Sequence, residues 1–510
     1  MTNSSKVPYQ EDPKKAALIF IGIIKSLHWG SKIIVFPEYG ITGFFLSATR
    51  DNIRPFLEVV PNATKPRVNP CMQGEYKERL VQRRLSCLSK EYSIIIVAGM
   101  ASMQPCNKSD PHCPKDGRYQ FNTAVAYGPD GNLLAIYHKS NLYSGETHFF
   151  DSGVKSDNNV ATFHTKFGTF GLFICFDILF EFPATHFGKF KVDTAVFPTA
   201  WMNELPLLSA VEYQQAWALG MNMNLLASNQ HFPLELMTGS GIYSATEGAV
   251  AYHYDMDTYK GKLIVSDLPC FPSMLVNTST EGFENHDDNI SHEALWTSAQ
   301  SKMAQKSLKS EDTPHFLINN KTRKELYGDL ERKSKALVMS SVKNDSINND
   351  DTFISMVNHD PYTLKLLTKT QDTVSVSDSG LTCTLNYSLL GVWEKGDWYA
   401  FGGFSGLHTN NGEYYVQTCV LLRCASQQKS QCGAQTSEAN THFQHFAIQM
   451  LGSSKETFRT PEVLTRGVGL PPKGSSWDVN KEFTTIWSDA GGLKDPLLMA
   501  GIFGRLYSKD

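Results

Sequence analysis

The sequence is poor in several features that mark other classes of protein. No apolar run approaches the roughly 20 residues that a membrane-spanning helix needs. The most apolar early segment, residues 18–24, is short and flanked by lysines, so it predicts the buried face of a helix. No run rich in lysine and arginine is present, and the 47 basic residues are balanced by 51 acidic ones, for a net charge of −4. These absences argue against a membrane span and against nucleic acid as a partner.

Patterns that bind metals are also missing. The ten cysteines include no CxxC pair and no accompanying His-x-x-x-His, so we expect no metal site among them. Most of them cluster in a way that is typical of disulfides, and Cys175 stands apart from these clusters. The clustered cysteines are Cys106 and Cys113 in a polar loop, and Cys383, Cys419, Cys424 and Cys432 in or near a late β-rich segment.

Asparagine-linked glycosylation signals are frequent. Eight such signals in a chain with clustered cysteines favour the secretory pathway, and we expect a secreted, extracellular protein with N-linked glycans. The N-terminus nevertheless shows no signal peptide. Either the signal has been lost from this version of the chain, or the protein is cytosolic and the signals are unused. The eight asparagines are Asn3, Asn62, Asn107, Asn277, Asn289, Asn320, Asn344 and Asn386.

The length and the patterning predict two domains. A chain of 510 residues exceeds one ordinary core, and its 41% hydrophobic and 19% charged residues are typical of globular proteins. From residue 14 to about 270, short β-rich runs alternate with amphipathic segments, which predicts an α/β domain. After a polar stretch, aromatic and alternating runs surround an Asn-Gly pair at 411–412, which predicts a hairpin in a β-rich second domain.

Individual elements of the first domain can also be predicted. Helical spacing of apolar residues predicts a helix over 75–90, and the position of residues 204–219 between later strands suits a second helix. Compact apolar runs predict buried strands over 32–36 and 93–98 and a further strand over 262–265.

Three side chains at predicted strand ends form a possible catalytic set. Cys175 follows an apolar strand, and Glu38 follows the strand that ends at Pro37. Lys139 lies at the end of the second strand of a predicted hairpin. A cysteine nucleophile needs a group that takes its proton, and amide hydrolysis also needs a stabilised oxyanion and a protonated leaving amine. Taken singly, such residues are more often structural or on the surface. Their joint placement at strand ends favours a site.

Several segments resemble those of one known family. Residues 35–40 (VFPEYG), 137–139 (YHK) and 171–177 (GLFICFD) resemble the three signature segments of the nitrilase superfamily. More narrowly, the chain resembles the vanin (pantetheinase) and biotinidase branch of that superfamily. The strings that carry this narrower likeness are 116–123 (DGRYQFNT), 175–180 (CFDILF), 197–203 (FPTAWMN) and 237–242 (MTGSGI).

The resemblance implies a fold and a domain division. It implies an α/β protein with a four-layer αββα nitrilase-like sandwich, followed by a smaller β-rich base domain. The expected carbon–nitrogen hydrolase domain spans residues 1–290, with the family's N-terminal strand apparently missing. The vanin-type C-terminal domain is expected over residues 291–510.

The resemblance also implies a mechanism without a metal or an organic cofactor. The family's Glu–Lys–Cys triad falls on Glu38, Lys139 and Cys175. Lys139 and the N–H group of Phe176 would stabilise the oxyanion. Glu146 matches a further glutamate of the family, which would orient Lys139 or the attacking water, although a plain loop carboxylate is the alternative.

The expected substrate is a small linear amide, cleaved through a cysteine thioester. Residues 216–224 and 226–229 resemble vanins, which favours hydrolysis of pantetheine to pantothenate and cysteamine. Residues 35–38 and 40–44 are more similar to biotinidase, so cleavage of biocytin or biotinamide, with biotinyl transfer, stays open. A secreted binding protein that keeps the fold without catalysis is the alternative from another functional class.

Overall fold

The computed structural model describes residues 30–43, 49–61, 68–268, 351–452, 457–471, 475–479, 484–488 and 493–510. The apolar segment 18–24 and the domain boundary expected near residue 290 lie outside these residues. Within the described ranges, no helix combines the length and apolar character that crossing a bilayer requires.

The N-terminal part contains two sheets and three α-helices among its described residues. The strands are β1 (Ile33–Val35), β2 (Glu58–Val59), β3 (Ile95–Pro105), β4 (Arg118–Tyr127), β5 (Leu133–His138), β6 (Thr162–Thr165), β7 (Gly168–Leu172), β8 (Thr194–Thr199), β9 (Asn224–Asn229), β10 (Ser240–Ser244) and β11 (Gly248–His253). The helices are α1 (Arg50–Ile53), α2 (Leu80–Tyr92) and α3 (Ala210–Met221). One sheet has the order β1-β3-β4-β5, with β2 also paired to β3, and the other has the order β11-β10-β9-β8-β7-β6.

The two sheets pack face to face between helices. Ile95 and Val97 of the first sheet share one buried cluster with Leu172 and Val196 of the second. Helix α2 packs on the outer face of the first sheet, and α3 packs against β9, β10 and β11 of the second. The resulting order of layers is helix, sheet, sheet, helix, which confirms the predicted αββα sandwich.

Both predicted helices begin later than expected. The first begins at Leu80, because residues 74–76 form a separate 3₁₀ turn. The second begins at Ala210 rather than near residue 204, since Pro206 lacks an N–H group and restricts the residue before it. Ser209 then caps this helix through hydrogen bonds to the Glu212 carboxylate.

The predicted strand over 262–265 is wrong. These residues form no strand, and Leu263 and Val265 are 42% and 44% exposed. A hairpin that the sequence patterns do not predict, β10–β11, supplies the end of the sheet instead. A short apolar run without a pairing partner cannot bury its backbone, which explains the error.

The C-terminal part is a sandwich of two antiparallel sheets. Their inner faces share a buried cluster that includes Leu385, Phe401, Leu421 and Ile448. The hairpin predicted at 411–412 is confirmed, since it joins β16 to β17. The strands are β12 (Thr352–Val357), β13 (Asp360–Leu366), β14 (Gln371–Asp378), β15 (Leu381–Leu389), β16 (Tyr399–His408), β17 (Tyr414–Arg423), β18 (Phe443–Leu451), β19 (Phe458–Thr465), β20 (Ser475–Val479), β21 (Thr484–Ser488) and β22 (Leu497–Arg505). The sheets have the orders β12-β13-β16-β17-β22-β19 and β14-β15-β18-β21-β20.

Four disulfides join the described cysteines. The pair Cys383–Cys419 connects β15 to β17 and therefore links the two C-terminal sheets. Among the described residues, Cys175 is the free cysteine, whereas Cys270 lies outside them. The other three bonds are Cys71–Cys87, Cys106–Cys113 and Cys424–Cys432.

Candidate active site

Glu38 lies just beyond β1. The N–H group of Phe36 donates a hydrogen bond to the carbonyl of Val97 at 2.8 Å, so the chain still follows β3 as it approaches the site. A Cβ atom added to Gly99 of β3 would lie 3.0 Å from the Cα of Glu38. The glycine therefore permits the close approach that leaves Glu38 only 1% exposed.

Lys139 follows the last residue of β5 and bridges two carboxylates. Its backbone N–H group donates to the carbonyl of Asn122 at 2.8 Å, which fixes it beside β4. Its Nζ donates to Oε1 of Glu38 at 2.8 Å and to Oε2 of Glu146 at 2.6 Å. The ammonium is 1% exposed, so both ion pairs are shielded from water.

Two residues that sequence reasoning missed hold these carboxylates. The Nδ2 of Asn122 donates to Oε1 of Glu38 and to Oε1 of Glu146, each at 2.7 Å. The hydroxyl of Tyr39 donates to the same oxygen of Glu146. Asn122 lies within a string that resembles the family, and Tyr39 is adjacent to Glu38 in sequence. These two features of the sequence could have identified both residues as candidates for the site.

Cys175 lies at a turn beyond β7. It begins a 3₁₀ helix over Cys175–Leu179 and has a φ angle of 47°, a left-handed conformation that is uncommon outside glycine. Such strain is found where a fold holds a functional side chain in place. The N–H groups at the start of this helix, including that of Phe176, have no intrahelical acceptor and can stabilise an oxyanion.

Asp177 connects the loop after β5, which contains Lys139, to the turn that begins at Cys175. Its Oδ1 accepts hydrogen bonds from the backbone N–H and the Nδ2 of Asn141, both at 2.8 Å. Its Oδ2 accepts from the Tyr137 hydroxyl at 2.9 Å and from the Ile174 N–H at 3.1 Å. Burial raises the pKa of Asp177 to about 6, although these donors favour its charged form. The carboxylate thereby fixes the loop after β5 relative to the turn after β7.

Burial and the two carboxylates control the protonation of the site. Burial raises the pKa of Cys175 and the charge of Glu38 raises it further, whereas Lys139 and the Thr199 hydroxyl act in the opposite direction. Burial also raises the pKa of Glu38, although Lys139 opposes this rise. Burial lowers the pKa of Lys139, but the charges of Glu146 and Glu38 outweigh it and hold that pKa well above its ordinary value. The resting site therefore contains an ammonium and a neutral thiol.

All four predicted site residues line one cleft. Its volume is about 240 Å³, and both parts of the chain contribute to its walls. The hairpin turn between β16 and β17 packs on the turn that begins at Cys175, since a Cβ added to Gly412 would lie 2.7 Å from the Phe176 ring. The lining residues are Glu38, Tyr39, Lys139, Tyr143, Gly145, Glu146, Phe149, Cys175, Phe176, Leu179, Ala200, Trp201, Met202, Glu204, Leu208, His408, Asn410, Asn411 and Tyr414.

Family models match both parts of the chain. Residues 11–203 match the family model described as Carbon-nitrogen hydrolase, and residues 351–510 match the one described as Vanin C-terminal domain. A solved structure of Saccharomyces cerevisiae Nit3, a member of branch 10 of the nitrilase superfamily, aligns with a TM-score of 0.37 at 19% identity. It covers 49% of this chain and 83% of that one.

Curated relatives extend over nearly the whole chain. A pantetheinase from Sus scrofa is 38% identical over 94% of this chain and 80% of its own length. A biotinidase from Homo sapiens is 36% identical over 94% of this chain and 81% of its own length. The chain therefore belongs to the vanin and biotinidase branch of the nitrilase superfamily, and it is a hydrolase of carbon–nitrogen amide bonds other than peptide bonds.

Proposed function

We propose that this chain hydrolyses pantetheine to pantothenate and cysteamine, with Cys175 as the nucleophile, Glu38 as the general base and Lys139 as a stabiliser of the oxyanion. One observation carries the proposal: a free buried cysteine shares a cleft with a lysine that is ion-paired to two carboxylates. Support for pantetheine comes from the 38% identical pantetheinases and from residues 216–224 and 226–229, which resemble vanins.

The first half of the reaction acylates the cysteine. Oε2 of Glu38 is buried and has no hydrogen-bond partner among the described residues, so it is available to take the thiol proton. Sulfur then bonds to the carbonyl carbon, and the oxyanion is stabilised by Lys139 and the N–H of Phe176. Glu38 returns the proton to the amide nitrogen as the carbon–nitrogen bond breaks, and cysteamine leaves.

The second half releases the acid. Glu38 takes a proton from water, and the resulting hydroxide bonds to the thioester carbon. The carbon–sulfur bond breaks and the proton returns to sulfur, which regenerates the thiol and releases pantothenate. The raised pKa of Glu38 suits a group that accepts and donates a proton in alternate steps.

We assign Glu146 to the orientation of Lys139 rather than to the activation of water. Its Oε1 accepts from Tyr39 and Asn122, and its Oε2 accepts from Lys139 and from the Tyr143 N–H at 2.9 Å. A carboxylate offers about four acceptor positions, so these donors leave none for a water molecule.

Secretion and N-glycosylation are part of the proposal. Four disulfides favour an oxidising compartment. The two predicted glycosylation sites that lie in the described residues, Asn107 and Asn386, are exposed and therefore accessible. Expression in a secreting cell, followed by mass spectrometry after glycosidase treatment, tests both statements.

The decisive experiment compares two substrates. Release of cysteamine from pantetheine and release of biotin from biocytin are measured with purified wild-type protein and with Cys175→Ala. We expect faster cleavage of pantetheine and no cleavage by the variant. Preferential cleavage of biocytin would instead assign the chain to biotinidase activity.

Alkylation of Cys175 separates an enzyme from a catalytically idle relative. Because burial and Glu38 disfavour the free thiolate, reaction with iodoacetamide near neutral pH requires transfer of the proton to Glu38. We therefore expect labelling of the wild type and slow labelling of Glu38→Gln. Equal labelling of both proteins, without amide cleavage, would favour the idle alternative.

A further inference from the structure

The cleft contains a second polar cluster that the reaction steps above do not use. Glu204 and His408 both line the cleft, and Asp360 binds the ring of His408. Glu204 comes from the loop after β8, whereas His408 ends β16 in the C-terminal part. The cluster therefore joins the two parts of the chain across the binding site.

His408 is held between two hydrogen-bond acceptors. Its Nδ1 lies 2.8 Å from Oδ2 of Asp360, and its Nε2 lies 2.8 Å from the carbonyl oxygen of Asn410. Neither acceptor carries a proton to share when Asp360 is ionised, so both ring nitrogens must donate. The ring is 4% exposed and stacks on Tyr414 with centroids 4.5 Å apart. His408 is thus a fixed imidazolium beside the cleft.

Glu204 has unused hydrogen-bonding capacity. It is half-buried, and its carboxylate makes no hydrogen bond or ion pair with the described residues. Burial raises its pKa, and electrostatic interactions with His359 and His408 counter that rise. Several neighbours in the lining are apolar, among them Leu179, Met202 and Leu208. A carboxylate in such surroundings is costly unless a donor reaches it, and a bound substrate can supply that donor.

Building on the proposed function, we infer that Glu204 determines specificity by accepting hydrogen bonds from the hydroxyl groups of the pantothenoyl chain, and that His408 acts on its carboxylate through charge rather than through a hydrogen bond. The acyl part of pantetheine ends in a dihydroxy-dimethylbutanoyl cap, which provides two hydroxyl donors. The cysteamine part ends in a thiol, which is a weak donor. A carboxylate acceptor therefore matches the acyl part of this neutral substrate.

The test compares pantetheine with an analogue whose cap lacks both hydroxyl groups. The wild type should cleave pantetheine with a kcat/KM about tenfold higher than the analogue, which is the effect of losing a charge-assisted hydrogen bond. Glu204→Gln should lose about tenfold on pantetheine and less than twofold on the analogue. Glu235→Gln is the matched control, because Glu235 is a half-buried glutamate outside the cleft lining.

The role of His408 is tested by a double-mutant cycle. If His408 acts through Glu204, then His408→Gln combined with Glu204→Gln should lose no more on pantetheine than Glu204→Gln alone. Additive losses would assign His408 a separate structural role. Glu204→Asp keeps the charge but shortens the side chain, and it replaces Glu204→Gln if that variant does not fold. It should also lose about tenfold in kcat/KM on pantetheine and less than twofold on the analogue.

The results of these assays distinguish failure of the inference about Glu204 from failure of the proposed function. Equal losses on both substrates, or no loss on either, would overturn the inference while leaving the proposed function intact. Absence of pantetheine cleavage by the wild type would overturn the proposed function and the inference with it. Unchanged alkylation of Cys175 in the Glu204 variants shows that the reacting groups themselves remain in place.

Discussion

A buried pair of carboxyl groups should make this protein less stable as the pH rises. Glu212 of α3 and Glu462 of β19 are each 1% exposed, at the contact between the N-terminal and C-terminal parts. One oxygen of Glu212 accepts from Ser209, whereas its other oxygen and both oxygens of Glu462 have no hydrogen-bond partner among the described residues. Burial raises the pKa of Glu462 to about 8 and that of Glu212 well above its ordinary value.

The sign and the size of the effect follow from proton linkage. Because the folded state holds a proton on Glu462 that the unfolded chain loses near its ordinary pKa of 4.5, the stabilisation is complete below that pH. It is then lost as the pH rises through about 8. Integrated from pH 5 to pH 8, this one group lowers the free energy of unfolding by roughly 3 kcal/mol. Glu212 acts in the same direction.

Glu462→Gln removes the titration while keeping the shape of the side chain. We expect the variant to be more stable than the wild type at pH 8 by up to about 3 kcal/mol, and to differ little from it at pH 5. Urea unfolding followed by tryptophan fluorescence at pH 5, 6, 7 and 8 measures this difference. Glu413→Gln, which changes an exposed glutamate, should run parallel to the wild type. A wild-type stability that is flat over this range, or a Glu462 variant that follows it, would refute the reasoning.

Three further substitutions test the geometry of the cleft. Asn122→Leu removes the donor that bridges the two carboxylates, and should lower kcat by about ten- to a hundredfold in the substrate assay. Tyr39→Phe removes one neutral donor to Glu146 and should lower kcat by less, about threefold to tenfold. Gly412→Ala should lower kcat/KM because the new Cβ would meet the Phe176 ring at 2.7 Å, whereas Gly188→Ala, with no atom within 4 Å, should leave it unchanged.

The positions of Glu38 and Cys175 could be predicted from the sequence because each one follows a recognisable strand. Glu38 follows an apolar run that stops at Pro37, and Cys175 follows another, so the residue pattern alone predicts both at strand ends. Strands β1 and β7 belong to different sheets, so the convergence of the two side chains in one cleft depends on the face-to-face packing of those sheets, which the residue pattern does not show. The structure places both of them in that cleft.

The hydrogen bonds that hold the site residues could not be predicted, because they depend on how separate strands and turns are placed in the folded protein. Asn122 lies on β4 and Asp177 on the turn that begins at Cys175. Nothing in their spacing shows that Asn122 contacts two carboxylates or that Asp177 contacts Asn141. The sequence predicts Glu204 at the start of a helix, because residues 204–219 lie between predicted strands. Its position in a loop is what allows it to line the cleft.

The contribution of the C-terminal part to the cleft has a consequence for inhibitor design. A compound that reacts only with Cys175 addresses a thiol of the kind that cysteine amidases in general present. A compound that extends to His408 and Tyr414 would gain contacts that a single-domain amidase does not offer. Selectivity among cysteine amidases should therefore be sought along this second wall, away from the reactive sulfur.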